Sequence, residues 1–169
     1  MKTRTAVLAI APVYRGLGFV VLDHEATLLD WGTMDTRKFN PAACLTRTRY
    51  LLTTFTPKRV VLELTGAPSC RRKQHVRDLI SDMALLASDL GFILAFYDRS
   101  AVIRSLKLDH GATKDVIARA IADQLPPIAH RLPAPRRIWE SEKHSMAMFA
   151  AAGLALAHLS SNDRHSNKN

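Results

Sequence analysis

Arg71-Arg72-Lys73, with Arg77 one helical turn on, is the densest basic cluster in the chain, and Lys114 lies in Gly111-Ala112-Thr113-Lys114-Asp115-Val116. Guanidinium and ammonium groups form strong, charge-assisted hydrogen bonds to phosphate oxygens. Such contacts release counterions, so binding through them weakens as salt rises. Arg131, Arg136 and Arg137 surround a proline-rich stretch and would extend the same basic track. Tyr14 and Arg15 stand together in Pro12-Val13-Tyr14-Arg15-Gly16, where the ring could stack on a base and the guanidinium could hold a phosphate. The plain alternatives are a solvated helix face for the cluster and a turn covering a sheet edge for Tyr14. Other chemistries lack their residues. The histidines do not fall at zinc-ligand spacing, there is no glycine-rich phosphate loop, and chain order suggests no Ser-His-Asp or Cys-His arrangement.

Composition points the same way. Twenty-four Lys and Arg face fifteen Asp and Glu across 169 residues, a net charge of +9. A domain that basic is expected to meet an anionic partner, most often nucleic acid. The length suits one domain with a real core. No apolar run reaches the roughly 18–20 residues that span a membrane, so no membrane partner is expected. Cys44 and Cys70 stand far apart, which excludes a disulfide framework or a CxxC zinc site and suggests a reducing, cytoplasmic setting.

The elements that must position these groups can be read along the chain. The apolar run Thr5–Ala11 predicts a strand covered on both faces. Short turns then lead to strands over Leu17–Leu22 and Ala26–Trp31, which forces an antiparallel meander. Asn40 and Pro41 open a helix to about Thr54, as N-cap and first helical residue. A strand at Val60–Leu64 and a helix from about Arg71 to Leu90 follow, and Gly91 ends that helix. A fifth strand is expected at Phe92–Tyr97, with helices at Arg99 to about Leu108 and about Thr113 to Leu125. A stiff Pro-rich loop leads to a last helix from near Ser141 to about Leu159. Trp31 and Trp139 read as core or edge packing. Residues 1–159 thus form a single domain, with 160–169 a flexible polar tail. The order predicts an α/β fold: a mixed five-stranded sheet, three antiparallel strands then two parallel ones, with helices on both faces.

This order and its local sequences resemble the RNase H-like superfamily, in particular the RuvC branch of Holliday-junction resolvases. Val7-Leu8-Ala9-Ile10-Ala11-Pro12 with Gly16 and Gly18-Phe19 is similar to the RuvC opening. Val60-Val61-Leu62-Glu63 is similar to the strand ending in the second catalytic carboxylate. Gly111–Val116 resembles a DNA-binding Gly-x-Ala-x-Lys-x-x-Val segment, and Met146–Leu159 resembles the last helix. The resemblance covers about residues 5–159. It implies cleavage of phosphodiesters by two divalent metals, Mg²⁺ or Mn²⁺, held by carboxylates from the first strand, the fourth strand and the last helix. It also implies a homodimer.

The sequence departs from that pattern where the chemistry is done. Ala11 stands at the first-strand Asp position and Ala150 at the last-helix Asp position, with Met146 and Ala147 one turn earlier. Glu63 alone remains, and one carboxylate cannot hold two Mg²⁺ ions against their hydration. Glu142, Glu140, Asp109 and Asp115 are the possible substitutes. On a continuous helix Glu142 would lie about 12 Å from Ala150 and be rotated by roughly 80°, poor geometry for replacement. The plain reading of Glu140 and Glu142 is negative charge favoured at a helix N-terminus. Two expectations follow. The first is a catalytically degraded RuvC-like protein binding structured or branched DNA, or RNA, alone or within a larger assembly. Arg71, Arg72, Lys73, Arg77, Lys114, Tyr14 and Arg15 would make its contacts. The second is an active metal-dependent endonuclease with Glu63 and Glu142 as catalytic metal ligands, or an alanine-substituted form of one.

Overall fold

The computed structural model describes residues 5–135, 137–140 and 142–166. Arg136 and Ser141 therefore lie outside the described residues, as do the first four residues and the last three of the tail.

Three strands, β1 (Thr5–Val13), β2 (Gly16–Asp23) and β3 (Leu28–Asp35), form the antiparallel meander. Helix α1 (Pro41–Phe55) starts where sequence predicts, because the Asn40 side chain accepts from the Ala43 N–H and Pro41 takes the first turn. Strand β4 (Arg59–Glu63) then pairs parallel to β1, and after α2 (Gln74–Asp89) strand β5 (Leu94–Tyr97) pairs parallel to β4. The sheet order is β3-β2-β1-β4-β5. Helices α3 (Arg99–Ser105) and α4 (Lys114–Gln124), a 3₁₀ turn (Pro126–Arg131) and α5 (Met146–Ser166) complete the chain.

Alternation along β1 divides the core. Leu8 and Ile10 join the cluster beneath α1 and α2, with Leu51, Leu79, Ile80 and Met83. Val7, Ala9 and Ala11 join the opposite cluster beneath α3, α4 and α5. The sheet is thus covered on both faces, which is why β1 reads as unbroken apolar sequence. From Met146 to Ala157 α5 is buried on nearly every side, so it is apolar all round rather than amphipathic. Gly18 allows this docking: a Cβ there would lie 2.2 Å from the backbone of Ala147 and Met148. Gly16, at φ +129°, makes the β1–β2 turn that no side chain would permit.

Boundaries differ from the sequence reading at several elements, among them β3, α2 and α5. Strand β3 starts at Leu28 and runs on to Asp35, because pairing with β2 continues past Trp31. Helix α2 starts at Gln74, so Arg71 and Arg72 precede it and Lys73 is its N-cap residue. Helix α5 starts at Met146 and continues to Ser166, so residues 160–166, expected in a tail, are helical. Helical propensity and one more anchor, the Asn162–His158 hydrogen bond, carry it past the apolar stretch.

Candidate nucleic-acid cleft

Strands β1, β4 and β5 run parallel to one another, so their carboxyl ends share one edge of the sheet, where ligands of open α/β sheets bind. A cleft of about 180 Å³ opens there. Val13 ends β1, Glu63 ends β4, and Arg99 follows β5 by two residues; all three line it. The loop after β4 contributes Ser69, Arg71 and Arg72, and the start of α4 contributes Lys114. The floor is apolar: Met146, Ala147, Phe149, Ala150, Gly153 and Leu154 of α5.

Two ion pairs fix the polar groups. Arg72 Nε donates to Glu63 Oε2 at 2.7 Å, with the side chains only 24% and 18% exposed. Lys114 Nζ donates to Glu142 Oε2 at 2.6 Å, in a more open position. Glu142 reaches the cleft because it precedes α5, so the helical spacing that would rotate it away from Ala150 does not apply. For the same reason it does not cap the helix: α5 has no acid in its first turn. Arg99 Nη2 donates to the Ala112 carbonyl at 2.7 Å, tying α3 to the loop before Lys114. The Ser69 hydroxyl is buried on the cleft wall without a hydrogen-bond partner among the described residues.

The cleft gathers Glu63, Glu142, Arg71, Arg72 and Lys114 of the residues singled out by sequence. Arg77, Lys73, Tyr14 and Arg15 lie elsewhere. Arg77 is half-buried and turns inward, donating to the carbonyls of Thr65, Cys70 and Arg72. It staples the loop that carries Arg71 and Arg72 and does not form an open basic face with them. Lys73 caps α2 with its backbone and does not line the cleft. Tyr14 stacks on Phe39 at 5.7 Å and meets the edge of His75 at 5.3 Å, at the β1–β2 turn beside the cleft lining. Arg15 pairs with Asp35 at 3.3 Å in an exposed position. Arg131 and Arg137 are not among the lining residues, and Arg137 instead covers the Trp139 ring at 5.7 Å. Trp139 is 78% exposed and so is not the packing residue that its size suggests, whereas Trp31 does pack against the core. Sequence reasoning overlooked Arg99. Its sequence signal was its place just after the fifth strand; the register that sets Tyr97 opposite Glu63 is seen only in the structure.

A divalent-metal centre does not fit this donor set. Ala11 is 2% exposed and faces the α5 side of the sheet, beneath the cleft and not in its wall. Its neighbour across the strand pair is Gly18, against which the α5 backbone rests. Ala147 and Ala150 carry no donor. Glu63 and Glu142 are each engaged by a cation, and among the described residues no three His, Cys, Asp or Glu side chains form a group able to hold a metal.

A mixed sheet of order 3-2-1-4-5 with helices on both faces and a final helix docked at its centre is the RNase H-like fold in its RuvC form. No family model matches the sequence, and no curated protein is similar to it by sequence. Solved structures are similar. Thermus thermophilus RuvC superposes with a TM-score of 0.67 at 20% identity, over 94% of this chain and 96% of that one. The T. thermophilus RuvC complex with a Holliday-junction substrate gives 0.64 at 19% identity, over 94% of each chain. The yeast mitochondrial Holliday-junction resolvase Ydc2 gives 0.63 at 12% identity, over 98% of this chain and 82% of that one. At these identities the likeness establishes the fold.

Proposed function

We propose that this protein binds branched or duplex DNA at the carboxyl edge of its sheet and does not cleave it. The observation that carries this reading is a basic cleft with an apolar floor. Four cations and two carboxylates line it, a net of about +2. One RuvC of the same fold has been solved with a Holliday-junction substrate, which makes a four-way junction the first ligand to try. Exposed Tyr14 and Arg15 at the β1–β2 turn suit a flanking contact, the ring to a base and the guanidinium to a phosphate. Lys73, exposed and next to Arg72 in sequence, would add positive charge nearby. DNA is preferred to RNA by analogy of fold alone. A homodimer or a place in a larger assembly accords with that analogy.

One observation favours the alternative, a metal-dependent endonuclease with a rearranged site: Glu142 reaches the same cleft as Glu63. A single set of assays separates the two. Junction, duplex and single-stranded DNA and structured RNA are titrated across a salt series, and each mixture is also incubated with Mg²⁺ or Mn²⁺. Expected are junction binding that weakens steeply with salt, a log–log slope of several units, and no product. Cleavage abolished by Glu63→Gln would establish the nuclease. Affinity indifferent to salt would remove nucleic acid as the ligand.

A further inference from the structure

We infer that fixed side-chain cations have replaced divalent metal in this cleft, so that phosphate is gripped directly and binding needs no metal ion; this rests on the nucleic-acid reading above. In a carboxylate-lined cleft a phosphodiester is repelled until metal ions reverse the local charge. Here the reversal is covalently built in. Arg72 holds Glu63 through Nε, and its two terminal nitrogens make no hydrogen bond to another described residue. A guanidinium held at one side and open at the other is oriented for a phosphate oxygen pair. Lys114, across the cleft on α4, holds Glu142, and Arg71 and Arg99 complete the lining.

The two pairs differ in strength, and this assigns them different tasks. Lys114–Glu142 is 53% and 36% exposed, a class of pair that contributes at most about 1 kcal/mol. An entering phosphate can therefore draw Lys114 away from Glu142 at little cost. Arg72–Glu63 is more enclosed and keeps its geometry. Glu63 is then a positioning residue for Arg72 rather than a ligand for metal. The Ser69 hydroxyl, buried on the same wall, has no hydrogen-bond partner among the described residues. A divalent cation entering the lining would meet a net positive charge and an apolar floor, and would have to displace both Arg72 and Lys114 to gain two carboxylates.

The test uses the full chain and two titrations. In the first, Mn²⁺ alone is added to the protein and followed by its electron paramagnetic resonance signal. In the second, a four-way junction is titrated at matched ionic strength in EDTA and in Mg²⁺. Expected are no Mn²⁺ binding at submillimolar concentration, and junction affinities equal within about twofold, with Mg²⁺ acting only as a competing counterion. Arg72→Gln and Lys114→Gln should each weaken junction binding, with the circular dichroism spectrum unchanged. Ala150→Asp combined with Arg72→Ala, which adds a carboxylate and frees Glu63, should gain Mn²⁺ binding. Mn²⁺ binding by the unmodified protein that is lost in Glu63→Gln would overturn the inference. So would a junction affinity at least tenfold tighter in Mg²⁺ than in EDTA. Neither result touches the nucleic-acid reading. Absence of junction binding in both buffers would defeat that reading, and this inference with it.

Discussion

Glu63 ends a buried strand and spends its charge on Arg72 at 2.7 Å. In a two-metal nuclease the equivalent carboxylate is indispensable, because the ions depend on it. Here its removal has the opposite sign for binding. Glu63→Gln takes a negative charge out of a cleft that must admit phosphate, so junction affinity should rise by a few-fold at low salt, on the scale of about 1 kcal/mol for one nearby charge. The same change weakens a half-buried ion pair, and the urea midpoint should fall slightly, by about 1 kcal/mol in stability. A filter-binding curve and a denaturation curve on the same variant check both directions. Loss of binding in Glu63→Gln would show that Arg72 cannot keep its position alone. The local sequence Val60–Glu63 made this residue visible as a polar group closing an apolar run. Its partner was not visible, because Arg72 reaches Glu63 only through the fold of the intervening loop. Arg77, which neighbours it in sequence, is drawn inward to staple that loop.

At the scale of elements, a close approach of helix to strand sets the site. Helix α5 lies against β2 at Gly18, and a methyl group there would overlap the helix backbone at 2.2 Å. Backbone cannot rotate away as a side chain can, so Gly18→Ala should cost about 3 kcal/mol or more, at the upper end of overpacking. Gly111→Ala, where an added Cβ meets nothing within 4 Å, should change stability by no more than about 0.5 kcal/mol. Urea midpoints of the two variants make the comparison, and an equal, small effect would show that α5 can shift. The start of this helix was misjudged from sequence. The acids and polar residues before Met146 suit a helix N-terminus by propensity, but tertiary contacts override it: Lys114 takes Glu142, and His144 Nε2 bonds the Met34 carbonyl at 2.8 Å. Those contacts hold the segment off the helix axis and return Glu142 to the cleft.

For the molecule as a whole, α5 is tied to the sheet edge by one buried histidine. His158 is 4% exposed. Asn162 Nδ2 donates to its Nε2 at 3.1 Å, and its Nδ1 shares a 2.9 Å hydrogen bond with the Tyr97 hydroxyl. Burial, then the positive charge of Arg59, lowers its pKa below the usual 6.5. The fold therefore prefers the neutral ring, while the unfolded chain takes up a proton as pH falls below about 6.5. This contribution to stability is complete above that pH and is lost as pH drops from 6.5 toward the lowered value. Thermal unfolding between pH 7.5 and 5 should show stability falling with acidity, and His158→Gln should flatten that slope. An unchanged slope in the variant would assign the dependence to other groups.

The strands, their order, the Asn40–Pro41 helix start and the basic character of the chain are written in local pattern. Alternation, caps and net charge act over a few residues or by simple sum, so the sequence alone determines them. The partner of each charge is decided otherwise. Glu63 with Arg72, Glu142 with Lys114, Arg99 beside both and Trp139 left in solvent depend on where loops return after their helices. A salt bridge a few ångströms long has no signature in chain spacing, and only the folded chain brings its two ends together.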